Sequence, residues 1–265
     1  MSTPSEILAK SRMVSRPSSK EFIESIFTDF FELHGDRHFE DDLAMVGGIA
    51  LLEGMPVTVV GIQKGHTVKD NVTCRFGSPN PDGYRKVMRL MEQAEKFHRP
   101  VIQFINTSGA YPGKGAEERG QGEAIARCLY LSAGLKTPVI SIFIGEGGSG
   151  GALAMAAGDK VWMLENGMYA VLSPEGFASI LWRDPSRSGE AAELMKITAN
   201  DLLKNGVIEK IIPEPEEGIE NNLEFTADIL RKDLIEELNI LCAKPIDELM
   251  EERYQRFRKY GEFEE

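Results

Sequence analysis

Apolar residues recur along the chain in two rhythms. Between Lys20 and Leu33, the residues Phe22, Ile23, Ile26, Phe27, Phe30 and Phe31 keep the three- and four-residue spacing of one helix face, which predicts an amphipathic helix over 20–33. Two apolar runs follow, Met45–Leu52 and Pro56–Ile62, separated by Glu53-Gly54; they predict a pair of strands joined by a turn. The stretch His66–Pro81 is polar and broken by Gly and Pro, and predicts a mobile loop. Beyond it the rhythm alternates: helix Asp82–His98, strand Val101–Ile105, loop Asn106–Gly113, helix Ala116–Ser132, strand Val139–Ile144, and a glycine run opening a short helix near Gly150. Short strands Val161–Leu164 and Tyr169–Leu172, helices from Pro174 and over Ala191–Leu203, and a strand Val207–Ile212 come next. After Pro213 the pattern is helical, over Leu223–Leu241 and Ile246–Arg258. Strands that read as nearly continuous apolar runs, alternating with helices, imply an α/β fold whose strands are mostly parallel and buried on both faces. No repeat of solenoid period is visible.

Composition narrows this only a little. With 265 residues, 42% hydrophobic and 27% charged, the chain suits one large domain or at most two. Its three cysteines, Cys74, Cys128 and Cys242, form no CxxC pair, so no structural zinc site is expected and a reducing compartment is. Met1–Lys20 lacks the apolar segment of a secretory signal, and the longest apolar runs have strand length. A soluble, cytoplasmic protein with no membrane partner is the expectation.

Charge is more informative. The net charge of −12 argues against a nucleic-acid binder. It is unevenly spread: Glu214–Glu265 carries −9, whereas Gln63–Pro100 holds eight bases against four acids, a net of +4. A basic segment in an acidic chain suits a small anionic ligand. Lys64, Lys69, Arg75, Arg85 and Arg89 are the candidates, and Arg85 and Arg89 share a helix face. The alternative for both is a solvated helix surface.

The densest chemical signal is Ile144-Gly-Glu-Gly-Gly-Ser-Gly-Gly-Ala152, which joins a buried strand to a helix of small residues. So much glycine costs chain entropy unless backbone groups need close approach or unusual torsions. A glycine turn at a helix start presents free N–H groups aided by the helix dipole, so Gly150 and Gly151 could hold an enolate or ureido oxyanion. Close helix packing is the plainer explanation. Gly145-x-Gly147-x-x-Gly150 formally fits a dinucleotide fingerprint, but it lies late in the chain and lacks the following acidic residue. A second glycine loop, Asn106–Gly113, also follows a buried strand, and loops at strand carboxyl ends gather into one crevice. Side-chain catalysts are scarce. His34, His38, His66 and His98 stand beside no nucleophile, and Ser149 has no histidine after it, which disfavours a serine hydrolase of the usual chain order.

Taken together, ELHGDRHFEDDLAMVGGIA (32–50), GIQKG (61–65), FGSPNPDGYRKVMRLMEQAEKF (76–97), GAYPGKGAEERGQGEAIA (109–126), IGEGGSGGALAM (144–155) and SPEGFASILW (173–182) resemble the alpha subunit of the bacterial acetyl-CoA carboxylase carboxyltransferase, in family order. The resemblance implies a crotonase/ClpP-like superhelix of strand-strand-helix units with C-terminal helices. The domain organisation then reads as an N-terminal extension over 1–20 and one carboxyltransferase domain over 21–265, its acidic helices beginning at about 214. It implies transfer of a carboxyl group from carboxybiotin, carried on biotin carboxyl carrier protein, to acetyl-CoA, giving malonyl-CoA for fatty acid synthesis.

The implied partners are a beta subunit in an α2β2 assembly, the carrier protein and biotin carboxylase. Zinc is expected on the beta subunit and no metal on this chain. By similarity the Gly150 and Gly151 amides form an oxyanion hole, while Lys64, Arg85, Arg89, Gly109, Ala110, Tyr111, Gly113, Gly147 and Gly148 contact substrate. The chain has Asn106 and Ser108 where the family usually has Asp and Pro, and Ala170, Leu172 and Phe177 where Ser, Ile and Cys are common. These departures leave as alternatives a paralogue acting on another acyl-CoA and a non-catalytic assembly subunit. A hydratase would need a glutamate pair, for which Glu117, Glu118 and Glu146 are the candidates.

Overall fold

In the computed structural model, which describes residues 2–261, the apolar runs assemble into one mixed sheet of eight strands. These are β1 (Thr28–Glu32), β2 (Met45–Leu52), β3 (Met55–Ile62), β4 (Val101–Thr107), β5 (Val139–Gly148), β6 (Lys160–Leu164), β7 (Met168–Ala170) and β8 (Lys210–Ile212). The spatial order is β1-β2-β3-β4-β5-β6-β8, with β7 paired to the end of β5. The first three strands pair antiparallel and the others parallel.

Side-chain alternation divides the core. Ile102 and Phe104, Ile140 and Ile142, and Val57 and Val59 point to one face; Val101 and Ile105, Val139 and Phe143, and Val60 and Ile62 point to the other. Both faces are buried, and even the polar positions on the second face, Thr58, Gln103 and Ser141, are fully buried.

Twelve helices accompany the sheet among the described residues: α1 (Pro4–Ser11), α2 (Ser19–Ile26), α3 (Val68–Thr73), α4 (Pro81–Lys96), α5 (Lys114–Glu118), α6 (Gln121–Gly134), α7 (Ser149–Leu153), α8 (Pro174–Trp182), α9 (Ser188–Met195), α10 (Ala199–Lys204), α11 (Leu223–Cys242) and α12 (Ile246–Arg258). Helices α2 and α11 lie on the Phe104 face, where Leu230, Leu234 and Leu238 recur every four residues and are fully buried. Helices α4 and α6 lie on the opposite face through Val87, Leu90, Met91, Ala124 and Cys128. Removing one of these buried leucines would cost about 2–5 kcal/mol.

Several elements differ from their sequence patterns. The helix expected over 20–33 ends at Ile26, because Phe27 is extended and Asp29 takes a φ of 52°. Phe30 and Phe31 then fall on opposite faces of an edge strand, an arrangement the same apolar pairs also allow. The polar stretch 66–81 contains α3, capped by the Thr67 side chain, and a 3-10 turn at Arg75–Gly77. Helix 116–132 is broken at Gly120, whose φ is 81°, and helix 191–203 at Lys196, whose φ is 54°. The first twenty residues are helical in part: Thr3 and Glu6 form a capping box at α1, Ile7 and Leu8 are buried, and Arg16 donates to Ile144 O at 2.5 Å and to Glu214.

Candidate active site

Strands β3, β4 and β5 run parallel, so the segments leaving their carboxyl ends (63–65, 108–113 and 149–151) meet at one edge of the sheet. The β4–β5 ladder runs in register from Val101↔Val139 to Ile105↔Phe143 and then slips, so that Thr107 faces Gly147. The extra length bends β5 away from β6 and onto β7, where Glu146 pairs with Met168 and Gly148 with Ala170. The bend brings the two glycine loops into contact. A Cβ on Gly148 would lie 2.1 Å from Ser108 O, so only glycine fits there.

At Ser149 the φ of 49° turns the chain into α7. The first N–H groups of this helix, those of Ser149, Gly150 and Gly151, have no acceptor within it, and Gly148 offers no capping side chain. Gly151 is buried under the second loop: a Cβ there would sit 2.4 Å from Ala110 N and 2.8 Å from Gly109 C. Gly150 is half-buried, and its added Cβ would first meet Ile125 Cγ2 at 3.7 Å, an ordinary contact. From below, the Tyr84 hydroxyl of α4 donates to Gly151 O at 3.1 Å, and burial pushes that hydroxyl well above the usual tyrosine range.

The second loop is fixed from within. Thr107 Oγ1 accepts from Gly109 N and donates to Gly109 O, both at 2.9 Å. Tyr111 N donates to Pro79 O at 3.0 Å, and the Gln121 amide donates to Pro79 O at 2.7 Å and Tyr111 O at 3.3 Å. Asn106 Oδ1 accepts from Glu146 N at 3.2 Å, bridging the two loops. A carboxylate could accept there equally, so this bond survives the departure from the family's Asp.

Glu146 is buried between the loops and carries the site's electrostatics. Arg12, at the end of α1, donates to Glu146 Oε1 at 2.8 Å and to Glu175 Oε1 at 2.8 Å. Lys64 Nζ lies 3.6 Å from Glu146 Oε2. Burial pushes the Lys64 ammonium below the usual lysine value, Glu146 opposing the shift and Arg12 adding to it. Glu175, Arg12, Glu146 and Lys64 thus alternate in sign across four elements.

The structure brings together Lys64, Gly109, Ala110, Tyr111, Gly113 and the Gly147–Gly151 run at this edge. Arg85 and Arg89 are placed differently. Arg85 pairs with Asp82 at 3.3 Å and Asp36 at 3.7 Å. Arg89 donates to Gly35 O at 3.1 Å and His34 O at 3.3 Å, and both arginines line a cleft whose walls include no glycine-loop residue. Glu117 and Glu118 are exposed while Glu146 is tied to two cations, so no pair of free carboxylates forms.

Sequence reasoning missed Arg12, Tyr84 and Glu175. The Arg12–Glu146 contact spans 134 residues and leaves no local pattern. Chemically, the site offers backbone donors to an oxygen that gains negative charge, between two fixed loops, and no unpaired side-chain base among them. Among the described residues no group of three His, Cys, Asp or Glu side chains could hold a metal ion, and no helix is long and apolar enough to cross a membrane.

The chain is similar to known proteins over nearly its whole length. A family model described as acetyl co-enzyme A carboxylase carboxyltransferase-like matches residues 2–261. The acetyl-coenzyme A carboxylase carboxyl transferase subunit alpha of Streptococcus pyogenes is 61% identical over 260 residues, covering 98% of this chain and 100% of that protein. The protein of the same name from Clostridium acetobutylicum is 57% identical, covering 98% of this chain and 95% of its own length. Among solved structures, transcarboxylase 12S with hydrolysed methylmalonyl-coenzyme A bound superposes with a TM-score of 0.70 at 19% identity, over 92% of this chain. The chain spans about half the length of that structure, 46%. That likeness is one of fold, the crotonase-like arrangement of strand and helix units.

Proposed function

Because the chain belongs to the acetyl-coenzyme A carboxylase carboxyltransferase family, we propose that it is the alpha-type subunit that moves a carboxyl group from carboxybiotin to acetyl-CoA, forming malonyl-CoA. The observation that carries this reading is the pair of α7 amides beneath the Gly109–Ala110 loop. A single carbon added at Gly151 would strike the Gly109–Ala110 backbone, so the start of α7 and the second loop pack in direct contact and the two amides stand at that junction. A flat, neutral head group with one carbonyl oxygen suits these donors.

Carboxybiotin, when bound, supplies the carboxyl group and, once the C–N bond has broken, a nitrogen able to take the methyl proton as the new C–C bond forms. The chain's own work is positional and electrostatic. Gly150 and Gly151 N–H hold the head-group oxygen as negative charge grows on it, and the helix start reinforces them. Tyr84, Asn106 and Thr107 hold the two loops at fixed separation, so the donors need no reorganisation. Lys64 places positive charge at the same edge, with Glu146 setting its position.

As an alpha-type subunit, the chain is one part of a carboxyltransferase complex. The acetyl-CoA side of the site is then assigned to a beta subunit bearing the zinc ribbon, and the biotin to a carrier protein charged by biotin carboxylase. The test is reconstitution. The purified chain alone should give negligible malonyl-CoA, and addition of a beta partner, carboxybiotin donor and acetyl-CoA should give turnover. Absence of turnover with a partner proven competent beside another alpha subunit would end the proposal.

A further inference from the structure

Between α4, α6 and the turn over 34–39 lies a solvent-open cleft of about 780 Å³, within the range of small-molecule sites. We propose that this cleft is a second binding site, for a nucleoside phosphate group, with the phosphates on Arg37 and Arg89 and the base against Tyr130. The inference does not rest on the carboxyl-transfer reading.

The two guanidiniums are held side by side. Arg37 Nη1 donates to His34 O at 2.7 Å, and Arg89 Nη2 donates to the same carbonyl at 3.3 Å. Neither makes an ion pair with a carboxylate among the described residues, although most charges around them are paired. Arg85 takes Asp36 and Asp82, and Arg127 takes Glu123 at 2.8 Å. Around the two unpaired cations stand Glu92 and, acting on Arg89 through space, Asp41 and Asp36. Burial, and then the nearby Arg37 charge, hold the Arg89 guanidinium below the usual arginine value, with Asp41 and Asp36 opposing the shift. Asp41 and Asp36 act on Arg89 only through space, and no carboxylate closes on either guanidinium among the described residues, so a phosphate could pair with both. The unused guanidinium edges of Arg37 and Arg89 suit its planar, multi-oxygen geometry.

The rest of the cleft argues for more than a bare anion. Tyr130 is 84% exposed, yet it lines this concave surface beside Met88 and Leu131. An aromatic face next to an apolar wall is a stacking surface for a heterocycle, and sequence-tolerant stacking of this kind is a common way to hold a base. A phosphate pair at one side and an aromatic platform at the other fit a nucleoside phosphate. That group could come from a free adenine nucleotide or from the nucleotide end of coenzyme A.

The experiment uses the full chain by itself and a fluorescent ADP analogue, read by anisotropy. The expected result is saturable binding that weakens with added salt and is displaced by unlabelled ADP and by inorganic pyrophosphate. Arg37→Gln and Arg89→Met should each weaken it by at least about tenfold. Tyr130→Ala should weaken ADP while leaving displacement by pyrophosphate unchanged. Coenzyme A competing as well as ADP would identify the coenzyme as the source, and ADP competing alone would identify a free nucleotide; either supports the site. Arg37 is exposed and its replacement should leave the fold intact, as thermal melting would verify. Absence of saturable binding, or binding undiminished in Arg37→Gln, overturns the proposal.

Discussion

Replacing Gly151 by alanine tests the site at its narrowest point. The added Cβ would lie 2.4 Å from Ala110 N, 2.8 Å from Gly109 C and 3.0 Å from the Tyr84 hydroxyl, whereas ordinary contact begins at 3.4 Å. Two of the three obstacles are backbone, so the Gly109–Ala110 loop must retreat by about 1 Å or α7 must shift by as much. Overpacking of this kind costs about 1–3 kcal/mol of stability. The larger effect is on rate. Moving one oxyanion donor out of line costs about 2.7–4 kcal/mol, or roughly 10²–10³ in kcat. Gly150→Ala is the internal control, because its Cβ finds only an ordinary contact at 3.7 Å and should leave folding unchanged. The assay is malonyl-CoA formation by the reconstituted complex, with urea denaturation of each variant. A Gly151→Ala enzyme within about threefold of the parent in kcat would refute the assignment of the Gly151 amide.

Three further outcomes are expected. Arg253 is 1% exposed and joins α12 to Asp159, with further donations to Ser132 O, Leu135 O and Thr137 O. Arg253→Met should therefore cost about 3–5 kcal/mol in urea unfolding, and a loss under about 1 kcal/mol would contradict the pairing. Arg12→Met frees Glu146 and Glu175 and should lower kcat more than it raises KM, since loop placement is disturbed and ground-state contacts are not. Equal stability and unchanged kinetics would show that α1 does not position the site. At alkaline pH, burial pushes the Cys128 thiol from 9.0 up to about 12 and the Tyr169 hydroxyl from 10.0 up to about 12. Both raised values mean that the unfolded chain loses these protons first, so stability is full below about pH 9 and falls towards pH 12. Cys128→Ala should flatten that fall by about one proton, and an identical slope in the variant would remove the thiol from the account.

How much of this was legible in the sequence depended on how far apart the cooperating residues lie. The parallel strands were readable because each is a continuous apolar run, and α12 matches its predicted span residue for residue. The two glycine loops were readable because close approach is written locally, in glycine itself. Boundaries failed where one backbone torsion decides them. Asp29, Gly120 and Lys196 each adopt a positive φ and break a pattern that apolar spacing alone would continue. Helix α1 was missed because its apolar positions, Ile7 and Leu8, are too few to make a periodic signal. The bridge from Asn106 to Glu146 was hidden for another reason. Both residues stood inside recognised loops, but only the slip in the β4–β5 ladder brings them face to face.

Charge shows the same limit from the opposite side. The segment Gln63–Pro100 is +4 when counted alone, yet folding supplies acids from outside it. Asp41 takes Lys86, Asp42 takes Arg75, Asp36 takes Arg85 and Glu146 takes Lys64. Four external carboxylates are enough to cancel the excess, so the count by itself cannot locate an anion. Lys69 and Lys96 are exposed, where water and salt screen them. What survives this pairing is Arg99, which is buried and donates to Thr58 Oγ1 and Gln93 Oε1, and Arg89, which shares one hydrogen-bond acceptor with Arg37 from outside the counted stretch. An anion site is therefore better sought among cations that folding leaves unpaired than among cations that the sequence lists together. By that criterion the cleft beside α4 is a stronger candidate for a phosphate than the helix face as a whole.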